Sequence, residues 1–421
     1  MIRNARRLAS MSALALFLVS CETIDGKLAT VWTDVPEIAL YAELFNKEQS
    51  RYRIEIVWKA ELVRELRDTK EAPTLAIGRS LRSSIVRDRF QSLDYLFGDL
   101  TINRSDFYPD LLALGTTGGN QILLPVSFNL PAMIYRKDGE ARPQDPFTIG
   151  LEAMAAESAA FNQKQGETYT RMGFSPRWDP HFLVLATNTA GAAFREGKPL
   201  YWSESGLRSA IDRMRGWGGE GRPSPALADD FQFKYLFTPP YTYVAEGRAL
   251  FAYLSSADLF LVPEEKRSYL DFRWFLEAGS IPILDDLVFA GIPRAGKDQP
   301  AAEAFLGWLF KEGNQQAMLE SARRTRALES SFGIAGGFST IRAVSERVFP
   351  LYYSALAGHV PPAETIGSPA ILPVEWTVLE TEILGPWLRE TLGRQAFRQE
   401  DYTAELSAGI SDYLKSGRNG R

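Results

Sequence analysis

Cys21 is the only cysteine among 421 residues, and His181 and His359 are the only histidines. A thiolate is the strongest nucleophile available near neutral pH, so Cys21 is the side chain best suited to take up a covalent group. Metal chemistry has little to work with, because a zinc site of the His/Cys kind needs three or four such ligands. The spacings H-E-x-x-H, G-x-S-x-G and G-x-x-x-x-G-K-[ST] do not occur. Gly216 to Gly221 fits G-x-G-x-x-G, but it follows the helix-like SGLRSAIDRMR and leads into RPSP. A dinucleotide fingerprint follows a strand and opens a helix, so this one reads as a loop. The carboxylate pairs Asp229-Asp230, Glu264-Glu265 and Asp285-Asp286 would suit acid–base work only if they faced each other. Neighbours in a strand point to opposite faces, so adjacency supplies no catalytic pair. These absences predict a chain that is not an enzyme and carries no cofactor and no metal.

Cys21 has a particular setting. Arg3, Arg6 and Arg7 precede an apolar run from Leu8 to Val19, with no acidic residue before Glu22. That run is too short to cross the ~30 Å hydrocarbon core of a bilayer, but it suits a signal-peptide core. It ends Leu18-Val19-Ser20-Cys21, which resembles a bacterial lipobox, where the thiol takes a diacylglycerol and becomes the first residue. The expectation is a lipoprotein signal peptide over 1–20, lipidation at Cys21 and a lipid-anchored linker over 21–27. Removing the leader lowers Lys+Arg from 47 to 44 against 52 Asp+Glu, a net charge of −8. An acidic chain is a poor partner for nucleic acid or anionic lipid, so membrane contact is expected through the anchor alone. With Cys21 acylated there are no disulfides, and a chain of this length divides by expectation into two domains.

The elements that must position any site are legible from Lys27 onward. KLATVW reads as a strand. Asp34, Pro36 and Glu37 have the spacing of a capped helix start, followed by Ile38, Tyr41, Ala42 and Phe45 at i, i+3, i+4, i+7. RYRIEIVWK alternates as a strand, with Tyr52, Ile54, Ile56 and Trp58 on one side; ELVRELRDT reads as a helix and PTLAIG as a buried strand. This order predicts βαβ units on a parallel sheet, with a crevice beyond the carboxyl ends of the strands. Trp32, Asp34 and Arg79 fall at that edge. Pro/Gly-rich breaks lie near 139–146, 216–225 and 358–373.

GTTGGNQILLPVSFNLPAMIYRKDG, from Gly115 to Gly139, is a Gly-rich turn and two apolar strands interrupted by Ser127 and Asn129. Here the chain resembles the extracellular solute-binding proteins of ABC importers, family 1, the group that includes maltodextrin binders. Pro125 to Asn129 and Met133 to Tyr135 stand in register with that family's first crossing between lobes; Arg136 and Glu140 depart from its usual residues. QDPFTIGLEAMAAESAAF, YVAEGRALFAYLSS, AGIPRAGKDQPAAEAFLGWLFKEGNQQAML and LPVEWTVLETEIL are similar to later segments of the family in the same order.

The resemblance implies an α/β periplasmic-binding-protein-like clamshell of two lobes, each a mainly parallel sheet flanked by helices. It implies 28–128 and 282–330 in the N-terminal lobe, and 129–281 and 331–421 in the C-terminal lobe. It implies a monomeric, lipid-anchored receptor on the periplasmic side of the envelope, which closes by hinge motion on a small solute and delivers it to a membrane permease. A sugar offers hydroxyl edges and apolar faces, which call for hydrogen-bonding side chains and planar aromatics. The candidate ligand contacts are Trp32, Asp34, Arg79, Ser127, Asn129, Trp178, Asp179, Tyr253, Ser255, Asp285 and Trp376, with Ser127–Asn129 also the candidate hinge. Trp202, Trp217, Trp274, Trp308 and Trp387 are assigned to packing. Sugar, polyol and charged solute stay open as guests, and Arg79 would suit an anion. A surface lipoprotein glycan hydrolase, or a binding or adhesion lipoprotein on the same fold, is the alternative.

Overall fold

A computed structural model of the chain describes residues 27–98, 101–198, 200–217, 219, 223–394 and 402–419. The leader and Cys21 lie outside the described residues.

Two sheets organise the chain. The strands are β1 (Leu28–Thr33), β2 (Arg53–Trp58), β3 (Leu75–Arg79), β4 (Leu124–Phe128), β5 (Pro131–Arg136), β6 (Thr148–Ile149), β7 (Phe251–Ser255), β8 (Leu270–Phe275), β9 (Val288–Gly291) and β10 (Phe338–Ser339). The larger sheet has the order β10-β4-β9-β3-β1-β2, and the smaller β7-β5-β8-β6. The helices that build or brace the site are α1 (Ile38–Glu48), α2 (Leu62–Asp68), α3 (Pro180–Thr187), α4 (Ser256–Leu261), α5 (Gln299–Leu309) and α6 (Trp376–Leu379).

The first βαβ units form as the sequence pattern requires. β1 pairs in parallel with β2 and with β3. Ile38, Tyr41, Ala42 and Phe45 are the buried residues of α1. Phe45 packs edge-on against Phe305 (5.3 Å) and Trp308 (5.7 Å) of α5. Alternation on β2 is only half realised: Ile54 is buried, while Trp58 is exposed at the sheet edge. The expected parallel arrangement is confined to β2-β1-β3 and the β8–β6 pair. β9 runs antiparallel to β3 and β4, β10 to β4, and β5 to β7 and β8, so both sheets are mixed.

The chain leaves the larger sheet at the end of β4 and enters the smaller one at Pro131, with only Asn129 and Leu130 between. It returns between β8 and β9. Phe338–Ser339, within the segment expected in the second lobe, instead pairs with β4 at the edge of the larger sheet. Between the sheets Phe260 of α4 stacks on Phe332 (4.7 Å), and Phe338 packs on Phe332 (5.1 Å) and on Trp274 of β8 (5.7 Å). This buried aromatic cluster joins the lobes on the side of the crossings. Among the described residues no helix is long and apolar enough to cross a membrane.

Candidate ligand-binding cleft

The crossing strands meet at Asn129, which is 2% exposed. Its Nδ2 donates to Asp286 Oδ2 (2.6 Å) and to the carbonyl of Gly336 (2.8 Å). Its Oδ1 accepts from Ser256 Oγ (2.5 Å), and its carbonyl accepts the Leu284 N–H (3.0 Å). Ser127, also buried, donates to the carbonyl of Ala335 (3.1 Å). One side chain thus ties the β4–β5 crossing to Ser256, Asp286 and Gly336. Asn129 and Ser127 stand at the junction and not on the wall of the cleft.

In front of that junction lies a cavity of about 600 Å³. Its walls come from α3 and the turn after it (Asp179, His181, Phe194, Arg195), from β7 and α4 (Tyr253, Ser255, Asp258), from the crossing segment (Asp285, Asp286), and from the start of α6 and beyond (Trp376, Glu380). Five expected contacts meet here: Asp179, Tyr253, Ser255, Asp285 and Trp376. Two of them owe their place to local structure. Asp179 caps α3, accepting the Phe182 N–H (2.9 Å), and Ser255 caps α4, accepting the Asp258 N–H (3.0 Å). Trp376, 6% exposed, packs against Phe194 at 5.9 Å, so these two rings form one apolar wall.

The other expected contacts are used elsewhere. Trp178 is core: its Nε1 donates to the carbonyl of Ala228 (3.0 Å) and its ring stacks on Phe231 (5.5 Å). Trp32 is half-buried on β1 with the Lys59 ammonium over its ring at 4.4 Å. Asp34 does not cap α1. Its carboxylate accepts the Arg79 N–H (3.1 Å), while Arg79 Nη1 donates to the Asp34 carbonyl (3.3 Å). That clasp explains Gly78, where a Cβ would lie 2.4 Å from Asp34 Oδ1 and from Leu62.

Several functional candidates were missed from the sequence. His181 Nδ1 stands 3.0 Å from Glu380 Oε2, and Glu380 is 8% exposed. This bond holds the imidazole pKa up at about 9, so it is an imidazolium at neutral pH. Burial raises the Glu380 carboxyl, although His181 pulls it the other way. Asp286 is pushed up to about 6, first by burial and then by the charge of Asp285. Enclosure by the cleft walls likewise raises Asp179 and Asp285. Asp258 and Arg195 complete the charged lining, beside the neutral Asn188, Thr189, Ser280 and Ser368, and the Arg195 guanidinium sits over the Tyr201 ring at 3.8 Å.

Contacts cross the mouth of the cavity. Ser83 Oγ and the Ser84 N–H, on the larger-sheet side, donate to the Glu196 carboxylate (2.6 and 3.1 Å) on the other side. Arg82 donates to the carbonyl of Pro369 (3.3 Å), and Arg64 of α2 reaches Glu375 (3.4 Å). The cleft is shut. Among the described residues no group of three or more His, Cys, Asp or Glu is arranged to hold a metal ion.

Two mixed α/β lobes joined by several crossings, with a cavity of mixed polar and apolar lining between them, define the periplasmic-binding-protein fold. Solved structures share it across nearly the whole chain. A cyclo/maltodextrin-binding protein complexed with maltotetraose superposes with a TM-score of 0.60 at 12% identity, covering 93% of this chain and 97% of that one. An extracellular solute-binding protein family 1 from Alicyclobacillus acidocaldarius gives 0.59 at 13%, covering 91% and 97%. The cyclic alpha-maltosyl-1,6-maltose binding protein from Arthrobacter globiformis gives 0.58 at 16%, covering 91% and 96%. No protein-family model and no curated protein matches the chain. At these identities the likeness is one of fold, and it is the fold implied by the sequence resemblance.

Proposed function

We propose that this chain is the substrate-binding component of an ABC importer. It captures a small carbohydrate between its lobes by hinge closure and presents the closed form to a membrane permease. The observation that carries this reading is the interlobe cavity itself. Hydroxyl-pairing groups (Asp179, Ser255, Asp285, Glu380) share it with an aromatic wall of Trp376, Phe194 and Tyr253. Structural neighbours, one complexed with maltotetraose and one described as a cyclic alpha-maltosyl-1,6-maltose binding protein, support the same class of guest. Closure stores binding energy as a change of shape, since a guest shifts the lobes only by favouring the closed form.

The leader and Cys21 support anchoring to the membrane through acyl chains, with the binding domain on the periplasmic side. Metabolic labelling with a radioactive fatty acid tests this: label is expected on the wild type and absent from Cys21→Ser.

Thermal unfolding of the processed protein against a panel of sugars and polyols tests the binding role. A stabilising solute recovered chemically intact after incubation supports the receptor. Conversion of that solute to products establishes the hydrolase instead, and stabilisation only by a macromolecule establishes an adhesin.

A further inference from the structure

The charge of the cleft is lopsided. Five carboxylate residues line it, Asp179, Asp258, Asp285, Asp286 and Glu380, against two basic ones, His181 and Arg195. His181 is hydrogen-bonded to Glu380, with its charge also felt by Asp179 and Asp285, and the Arg195 guanidinium lies on Tyr201. Arg79 also acts on Asp285 and Asp286 by its charge, and its guanidinium is hydrogen-bonded to the Asp34 carbonyl. Among the described residues no ion pair reaches Asp179, Asp258, Asp285 or Asp286. Asp258 accepts only from Ser255, and Asp179 from the start of α3.

A second observation is independent of that count. Asp286 Oδ1 is buried and receives no hydrogen bond, although its partner oxygen is held by Asn129. An unmatched carboxylate oxygen out of water is costly, and natural sites meet it with a donor or an opposite charge. Neutral hydroxyls supply donors but leave the surplus of negative charge in place. An ammonium supplies the opposite charge, which acts on Asp286 from the cavity without touching the enclosed Oδ1. The apolar wall of Trp376 and Phe194 faces the same space, which suits a ring-bearing body.

We infer that the guest of this cleft carries a positive charge, as an amine-bearing saccharide whose ammonium sits among Asp285, Asp286 and Asp179. This rests on the carbohydrate-receptor reading and narrows it. An anionic solute, which Arg79 alone would suit, is excluded by the same carboxylates.

The test is calorimetric titration of the processed protein at pH 6.5 with three disaccharides of one skeleton: the β-1,4 dimer of glucosamine, its di-N-acetylated form, and cellobiose. Spermidine serves as a cation that is not a sugar. The glucosamine dimer is expected to bind at least tenfold more tightly than either neutral disaccharide. That preference should shrink severalfold in Asp285→Asn, a substitution at a side chain open to the cleft, with the unfolding temperature serving as the check on folding. Neutral disaccharides binding as tightly as the amine overturn the inference and leave the sugar receptor standing. Spermidine binding without any sugar supports the cationic guest and overturns the carbohydrate reading. Heat from none of the four overturns the inference.

Discussion

Ser83 Oγ donates a 2.6 Å hydrogen bond to Glu196 Oε1 across the mouth of the cleft, from one lobe to the other. The Ser84 N–H meets the same carboxylate, so one side chain receives two segments of the opposite wall. Such bonds contribute only about 1 kcal/mol each, but they exist only when the cleft is shut and therefore bias closure directly. Glu196→Ala is expected to enlarge the radius of gyration of the ligand-free protein in small-angle scattering, and to weaken ligand binding about fivefold to tenfold. Unchanged scattering would mean that closure is held elsewhere.

Asn129 serves a different role, as the pin through the crossings. Its removal strands Ser256 Oγ, Asp286 Oδ2 and the carbonyl of Gly336 at once. Asn129→Ala should lower stability by about 3 kcal/mol, read as the chemical-denaturation midpoint. Asn129→Asp should cost more, because it sets a second carboxylate against Asp286. Equal midpoints for wild type and both variants would remove Asn129 from the hinge.

Asp286 predicts a pH dependence of definite sign. Its folded pKa, about 6, lies above the ordinary 3.8, so between those values the folded state holds more proton than the unfolded one. Stability therefore falls as pH rises from about 4 to 6. Asp286→Asn, which keeps an acceptor for Asn129, should raise stability at pH 7.5 by about 2 kcal/mol and have little effect at pH 4. A variant no more stable than wild type at pH 7.5 contradicts this.

Trp178 tests the division between core and cleft. Truncating a buried, stacked indole costs about 3–5 kcal/mol, so Trp178→Ala should lower the melting temperature sharply. Milder Trp178→Phe should retain ligand affinity, since the ring touches Phe174 and Phe231 on the far side of Asp179. Lost affinity at unchanged stability would return Trp178 to the list of contacts.

What could be read from sequence follows the range of the forces involved. The α1 face and the first three strands depend on periodicities of 3.6 and 2, which are local. Asp34 had the spacing of a helix cap, yet Arg79, 45 residues on, took its carboxylate. Trp178 sits in a Pro-bounded stretch that looks like a loop, and it is buried by Phe231 from a distant helix. His181 and Glu380 are 199 residues apart, so no one-dimensional pattern pairs them. A usable signal existed for one partner. Trp376, Leu379, Glu380 and Leu384 fall at i, i+3, i+4 and i+8, which makes Glu380 a lone acid on a buried helical stripe. A charge in that position needs a partner, but with 47 Lys and Arg beside two His the sequence does not say which base supplies it.

That pairing makes the last prediction. The folded pKa of His181, about 9, exceeds its ordinary 6.5, so its contribution to stability is complete below pH 6.5 and is lost as pH rises through 9. The proton is held chiefly by Glu380, with Asp179 and Asp285 adding to it from the other walls. Because the imidazole is about half exposed, at 49%, water screens the pair, and the contribution is about 1 kcal/mol and not the full value of the shift. Wild type should lose a few degrees of melting temperature between pH 6.5 and 9.5 that His181→Gln does not lose. Ligand affinity should change over the same interval, since a deprotonated His181 leaves Glu380 as one more unmatched charge beside the guest. Parallel curves for the two proteins across that range would place the proton somewhere other than His181.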